Sequence, residues 1–315
     1  MTETLLFHLS DIHFGLEDNR ALDWVKQEIA ERRPAAVAIT GDLTMRARHR
    51  EYAAACHWIQ SLNVPVTVEV GNHDMPYFNL AERFFAPYRR FRAIQGLIER
   101  EIELPGIAVV PLKTAVRAQP RFNWSKGWVT GRALRKCLAA IDALPPGTRA
   151  LVSVHHPLRE VGTKGTALTY GGSKALAELA RRPVLAVLSG HVHDPFDIAE
   201  ETKFGPVRMI GAGTLSQRLR STPPSFNELI WDGEALSVRV RNLDEVPTRD
   251  MLIEDVPENA LPPREPGEPV APVRQVPRVD PPVHSTRPHH PIGGCAGATA
   301  RIVWQRDPRL IASLD

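Results

Sequence analysis

The chain has 315 residues, enough for one large domain or one domain with an appendage, and its 43% apolar content is that of a globular protein. A net charge of +3 is too small to argue for nucleic acid by itself and fits an anionic substrate equally well. Three cysteines without a CxxC spacing argue against a disulfide framework or a thiolate metal site and point to a reducing cytoplasm, and neither a signal peptide nor a membrane span is expected.

In chain order, residues 5–10 read as a buried strand. Leu22, Val25 and Ile29 then recur at helical spacing, and Pro34 stops that helix. Residues 35–40 form a second strand. Residues 48–62 form a helix with Tyr52, Cys56, Ile59 and Leu62 on one face, and residues 64–70 a third strand. This β-α-β-α-β order predicts a layered α/β sheet. Residues 79–103, rich in Arg and aromatics, read as helical, and 107–112 as a strand. A helix follows over 131–144, then strands at 150–154 and 184–188 with a loop (162–172) and a helix (175–182) between them. Residues 207–210, 228–231 and 236–240 read as antiparallel strands, with a hairpin turn at Asp232-Gly233. From Pro257 to Pro291, 11 of 35 residues are proline, which predicts an extended or disordered tail. Two short apolar runs, 301–304 and 309–312, hint at weak terminal structure.

Polar clusters close several of these strands: Asp11-Ile12-His13, Gly41-Asp42, Gly71-Asn72-His73-Asp74, Val154-His155-His156-Pro157 and Gly190-His191-Val192-His193. In an open α/β sheet, ligands gather beyond the carboxyl ends of strands, so one fold can bring all five to one edge. Asp11 and His13 project to the same side if extended geometry persists there, as do His191 and His193. Carboxylate, amide oxygen and imidazole without thiolate suit Mn, Fe, Zn or Co. Two such ions close together commonly share a carboxylate. Each motif alone is weak, since Gly, Asn and Asp also favour ordinary turns. Their joint occurrence in order is specific.

The series resembles that of the calcineurin-like metallophosphoesterase superfamily: D-x-H, G-D, G-N-H-D, a His in an H-x-P context, and G-H-x-H, over about residues 5–245. Length and the His-His-Pro form are similar to the bacterial cyclic-nucleotide and glycerophosphodiester phosphodiesterase branch. The resemblance implies an α/β/β/α sandwich of mixed sheets flanked by helices over residues 1–248, with residues 249–315 as the tail. It implies two divalent metal ions. Asp11, His13 and His193 would hold one, Asn72, His155 and His191 the other, and Asp42 would bridge them. His73 would be the general acid that protonates the leaving oxygen, oriented from behind by Asp74. A metal-bound hydroxide would attack a phosphoester in line, with a small phosphodiester as the expected substrate.

Other residues carry weaker expectations. Arg46 and Arg48 are candidates to hold a phosphate oxygen. His156 either touches substrate, supports the ligands or packs. Arg89-Arg90-Phe91-Arg92 reads as a solvated helix face. Trp124, Lys126 and Trp128 either cap the site or anchor a sheet edge. His8, His49 and His57 read as structural or exposed, and Cys56 and Cys137 as small packed hydrophobes. A metal-dependent nuclease is the first rival function, disfavoured by the small charge. A non-catalytic interaction protein on the same fold is the second, disfavoured because every ligand position is filled. No membrane partner is expected, a nucleic acid is possible but not favoured, and the oligomeric state is open.

Overall fold

The structure is a computed structural model that describes residues 3–243 apart from 101 and 103. The expected domain boundary at 248, the Pro-rich tail, the terminal runs and Cys295 lie outside the described residues.

Two five-stranded sheets form the centre. The first has the order β10-β9-β1-β2-β3 and the second β4-β5-β6-β8-β7. The first contains β1 (Thr4–Leu9), β2 (Ala36–Ile39), β3 (Val66–Val68), β9 (Ser225–Trp231) and β10 (Leu236–Asn242). The second contains β4 (Ile107–Pro111), β5 (Arg149–Ser153), β6 (Val184–Ser189), β7 (Phe196–Glu200) and β8 (Val207–Gly211). β1, β2 and β3 are parallel, as are β4, β5, β6 and β8, while β9, β10 and β7 pair antiparallel.

Alternation along the strands decides which residue meets which layer. On β1 and β2, Leu6, Ala36 and Ala38 pack with Leu151, Ala186, Leu188 and Ile210 of the second sheet in one buried cluster. The opposite faces, Phe7, Leu9, Val37 and Ile39, pack against Leu22, Val25 and Ile29 of α1 (Asn19–Arg32) and Tyr52 and Ile59 of α2 (His49–Ser61). On the other side, Val152 and Val187 pack against Leu134, Cys137 and Ile141 of α5 (Gly131–Asp142) and Leu176 and Leu179 of α6 (Gly172–Leu179). The result is the expected α/β/β/α sandwich.

Three elements differ from the sequence reading. The helical stretch after residue 79 is two helices, α3 (Leu80–Phe85) and α4 (Arg89–Ile98), because Pro87 lacks the amide donor a continuous helix needs. β7 was not foreseen: it is a half-exposed strand, Phe-Asp-Ile-Ala-Glu, without a strongly apolar face. β8 is antiparallel to β7 but parallel to β6, so only one of its two pairings has the expected sense. The hairpin at Asp232 is as read, and the Asp232 carboxylate accepts from the amides of Glu234 and Ala235. Cys56 and Cys137 are buried, unpaired and packed with apolar neighbours.

Candidate metal centre

β1, β2 and β3 of one sheet and β5 and β6 of the other end at the same edge of the sandwich, and the five polar clusters follow them. Asp11, His13 and His193 offer ligand atoms within 4.8 Å of one another, as do Asp11, Asp42 and His155, and also His155, His156 and His191. Asn72 joins through its Oδ1, 3.1 Å from His155 Nε2. The seven candidate ligands and His73 therefore gather at one place, with Asp74 close by.

The backbone reaches this arrangement differently from the expected extended form. Asp11, His13, Asp42, His191 and His193 all have φ between 52° and 70°. Side chains rarely adopt this left-handed region, which costs on the order of 1–3 kcal/mol per residue and clusters at functional sites. The paired residues still project together: Asp11 Oδ1 lies 3.6 Å from His13 Nε2 and 3.1 Å from His193 Nε2. Glycine is required at two adjoining points because of close approach. A Cβ on Gly71 would lie 2.0 Å from Asp42 Oδ1, and one on Gly190 would lie 2.4 Å from Asp11 Oδ2.

Hydrogen bonds from the protein engage one side of Asp11, Asp42, His155 and His193 and leave the other facing inward. Asp11 Oδ2 accepts from the Ser10 hydroxyl and the His191 amide, at 2.6 and 2.8 Å. Its Oδ1 is buried with no hydrogen-bond partner. Asp42 Oδ1 accepts from the His73 amide at 2.8 Å. Its Oδ2 lies 3.2 Å from His155 Nε2 and 3.8 Å from His13 Nε2, within reach of both halves of the site. His155 and His193 each contact a backbone carbonyl through Nδ1, Thr40 at 2.8 Å and Arg218 at 2.7 Å. That places the proton of a neutral ring on Nδ1 and turns the Nε2 lone pair inward. Carboxylate oxygens, an amide oxygen and imidazole lone pairs thus converge on one buried space.

Such a set calls for positive charge. Burial works against ionising Asp11, yet His193 and His13 hold its carboxyl well below the carboxylate range. Burial likewise opposes Asp42, and His155 and His73 hold it low. Against burial, the Asp42 carboxylate draws the His155 imidazole up to about 9. Burial, helped by His155, pushes His191 down to about 3, leaving it a neutral donor. Hard and borderline donors around an orphaned carboxylate oxygen fit divalent cations such as Mn, Fe, Zn or Co.

Several expectations for individual residues change. Asp74 does not stand behind the His73 ring. It accepts from the amides of Leu43, Thr44 and Gly71 and from the Thr44 hydroxyl, so it fixes the Asp42 loop against the Gly71 turn. Burial and the Asp42 charge raise its carboxyl to about 6. The partner of His73 Nδ1 is the Met45 carbonyl, 2.7 Å away. His156 lies near His155 and His191, but both its nitrogens are engaged, one by Thr114 Oγ1 at 2.9 Å and one by the Ser125 carbonyl at 2.8 Å. Its ring packs against His191 with centroids 4.4 Å apart, so it positions a neighbour and offers no free lone pair.

Arg46 is exposed, and Arg48 pairs with Glu51 at the start of α2, so neither is drawn into the centre. Arg89 and Arg90 are not simply solvated: both bind Glu82, and Arg90 also reaches the Ala47 carbonyl. Trp128 pairs with Tyr170 in an isolated bridge outside the two sheets, while Trp124 stacks edge-on against Phe84. His8 is a buried strand residue bonded to Thr40, and His49 and His57 are exposed.

One residue at the centre escaped the sequence reading. Arg218 Nη1 lies 3.1 Å from His73 Nε2 and 3.3 Å from His13 Nε2. Arg218 sits in the loop between β8 and β9. Asp194, next to His193, anchors that loop by accepting from the Ser221 amide at 2.8 Å. Its only sequence signal was a polar Ser-Gln-Arg stretch beyond a strand end, which has no motif spacing.

Comparison with known proteins bears on the fold and the family. No curated protein sequence matches at a significant level. A dimetal phosphatase from Danio rerio superposes with a TM-score of 0.57 at 13% identity, over 76% of this chain and 96% of that one. Purple acid phosphatase from yellow lupin (Lupinus luteus) seeds gives 0.56 at 12% identity, over 78% of this chain and 52% of that one. GAP50, the anchor in the inner membrane complex of Plasmodium, gives 0.53 at 11% identity, over 78% of this chain and 86% of that one. At such identities the likeness is one of fold. The family model for calcineurin-like phosphoesterases matches residues 5–195, more than half of the chain, and the chain belongs to that family.

Proposed function

We propose that the protein is a dinuclear metal-dependent phosphohydrolase acting on a small phosphoester, with a phosphodiester as the preferred substrate. The observation that carries this reading is Asp42 Oδ2, a buried carboxylate oxygen near ligand nitrogens of both halves of the site. Asp11, His13 and His193 would hold one divalent ion, Asn72, His155 and His191 the other, and Asp42 would join them. When bound, the ions supply charge neutralisation for the phosphate and activation of water.

The chain's own groups do the rest. The carbonyls of Thr40 and Arg218 hold His155 and His193 in the tautomer that presents Nε2. His73, fixed through Nδ1 by Met45, presents Nε2 to the site as the proton donor to the leaving oxygen. Arginine has only donors, so its hydrogen bond to His73 Nε2 needs that nitrogen unprotonated. Transfer of the Arg218 guanidinium to a substrate phosphate oxygen would free His73 Nε2 to carry a proton. Arg218 thereby takes the phosphate-holding place expected of Arg46 or Arg48.

The test is turnover of bis(p-nitrophenyl) phosphate against p-nitrophenyl phosphate with Mn added. Faster turnover of the diester is expected, and no turnover of either ester with any divalent ion sinks the enzyme reading. In the same assay, Arg218→Ala should retain metal and raise KM about 10- to 100-fold, the loss of one charge-assisted hydrogen bond. An unchanged KM would remove Arg218 from the phosphate. Cleavage of single- or double-stranded DNA in preference to the small diester would favour the nuclease. The full donor set speaks against a non-catalytic interaction protein on this fold.

A further inference from the structure

After Asp74 the chain leaves the metal centre and immediately presents aromatic side chains to solvent. Tyr77 is 66% exposed, Phe78 67% and Phe85 88%. A second arm, residues 113–128, carries Phe122, which is fully exposed, and Trp124. The arms are joined: Phe84 and Trp124 stack edge-on at 5.8 Å, and the Arg83 guanidinium lies over the Trp124 ring.

These are not loose ends. Arg83 Nε donates to the Arg117 carbonyl at 2.9 Å, Arg117 Nη1 donates to the Phe84 carbonyl at 3.0 Å, and the Tyr88 hydroxyl donates to the Ala115 carbonyl at 2.8 Å. The second arm also borders the metal centre, because Ser125 supplies the carbonyl that holds His156 against His191. Fixed backbone therefore holds several large apolar side chains out in water beside a catalytic edge. Exposed apolar residues in such a group mark an interaction site, whereas single ones need no explanation.

Charge narrows the partner. Residues 76–92 and 113–128 together contain eight lysines and arginines against one acid, Glu82, in a chain whose net charge is only +3. Many of the donors are spent internally. Arg83 and Arg121 bind carbonyls and Gln119, and Arg90 binds Glu82 and Ala47. Arg83 and Arg121 keep their charge while their hydrogen-bonding forks are occupied, whereas Arg89 and Arg90 share the single negative charge of Glu82. Nucleic acid is held by direct donors to phosphate oxygens. A positive surface with the exposed rings of Tyr77, Phe78, Phe85 and Phe122, and with few free donors, suits the boundary of an anionic bilayer.

We propose that this face docks the protein on an anionic lipid surface, with the metal centre at the line of contact. Attachment of this kind lies in the plane of the bilayer. It is compatible with the finding that no described helix is long and apolar enough to cross a membrane. The expectation of no membrane partner rested on the lack of a span and does not extend to surface docking.

The experiment uses the full chain with phosphatidylglycerol–phosphatidylcholine vesicles and with pure phosphatidylcholine vesicles, read by co-sedimentation. The wild type should bind the anionic vesicles and not the neutral ones. The double variant Phe85→Ser/Phe122→Ser should melt at the wild-type temperature and bind at least about tenfold more weakly, since two protruding rings no longer leave water. Failure of the wild type to sediment with anionic vesicles overturns the proposal. So does equal binding by the variant, or a loss in the variant of single-stranded oligonucleotide binding in place of vesicle binding. Vesicle binding is read without turnover, so a protein inert towards phosphoesters but bound to vesicles would defeat the enzyme reading and leave this one standing.

Discussion

Asp42→Ala is expected to lose both metal ions and to lower turnover on the order of a thousandfold. The size follows from a simple conversion: ions that stabilise transition-state charge are worth several kcal/mol, and each ~1.4 kcal/mol is a factor of ten in rate. Asp11 Oδ1 lies closest to one half, 3.6 Å from His13 Nε2 and 3.1 Å from His193 Nε2, whereas Asp42 Oδ2 lies 3.8 Å from His13 Nε2 and 3.2 Å from His155 Nε2. Asp42→Asn is the informative companion. Its amide oxygen can still accept the His73 amide that Asp42 Oδ1 now accepts at 2.8 Å, so the loop keeps its anchor while the charge is gone. Metal analysis by mass spectrometry on both variants checks this. Retention of two ions by Asp42→Asn would show that the carboxylate charge is not what joins them.

His73→Ala should act on the chemistry and spare the metals. General acid catalysis typically contributes about 10²–10⁴-fold, so turnover of alkyl phosphodiesters should fall by that range. A p-nitrophenyl ester, whose leaving group departs without protonation, should fall far less. The rival role is ligation: His73, His13 and Asp42 have ligand atoms within 4.8 Å of one another. If His73→Ala loses an ion, or slows both esters alike, the acid assignment is wrong. The hydrogen bond from His73 Nδ1 to Met45 constrains the ring with no carboxylate, so Asp74→Asn should alter loop stability more than it alters the choice between leaving groups.

The strands and their polar ends were legible because both are local properties. Alternation places Leu6 and Phe7 in different layers, and a cluster such as Gly71-Asn72-His73-Asp74 names its own chemistry. Contacts made at a distance were not legible. Arg218 meets His13 across 205 positions of sequence, through a loop without motif spacing. Asp74 lies next to His73 in sequence, but its carboxylate is drawn to three amides and a hydroxyl that only the fold assembles. His156 could be read as a substrate contact, a support for the ligands or a packed residue, and only the fold brings Thr114 and Ser125 to its two nitrogens. The left-handed backbone at Asp11, His13 and Asp42 was equally hidden, since those residue types are also at home in extended chain. β7 was missed because an edge strand with one side in water carries little hydrophobic pattern.

The central claim is a site built for two ions joined by Asp42. Stripping the protein with a chelator, then titrating Mn back while following bound metal and bis(p-nitrophenyl) phosphate turnover together, tests it directly. The expected result is two ions per chain, with turnover rising to its full value only as the second binds. Full turnover with a single ion bound, or turnover that survives complete removal of metal, would contradict it.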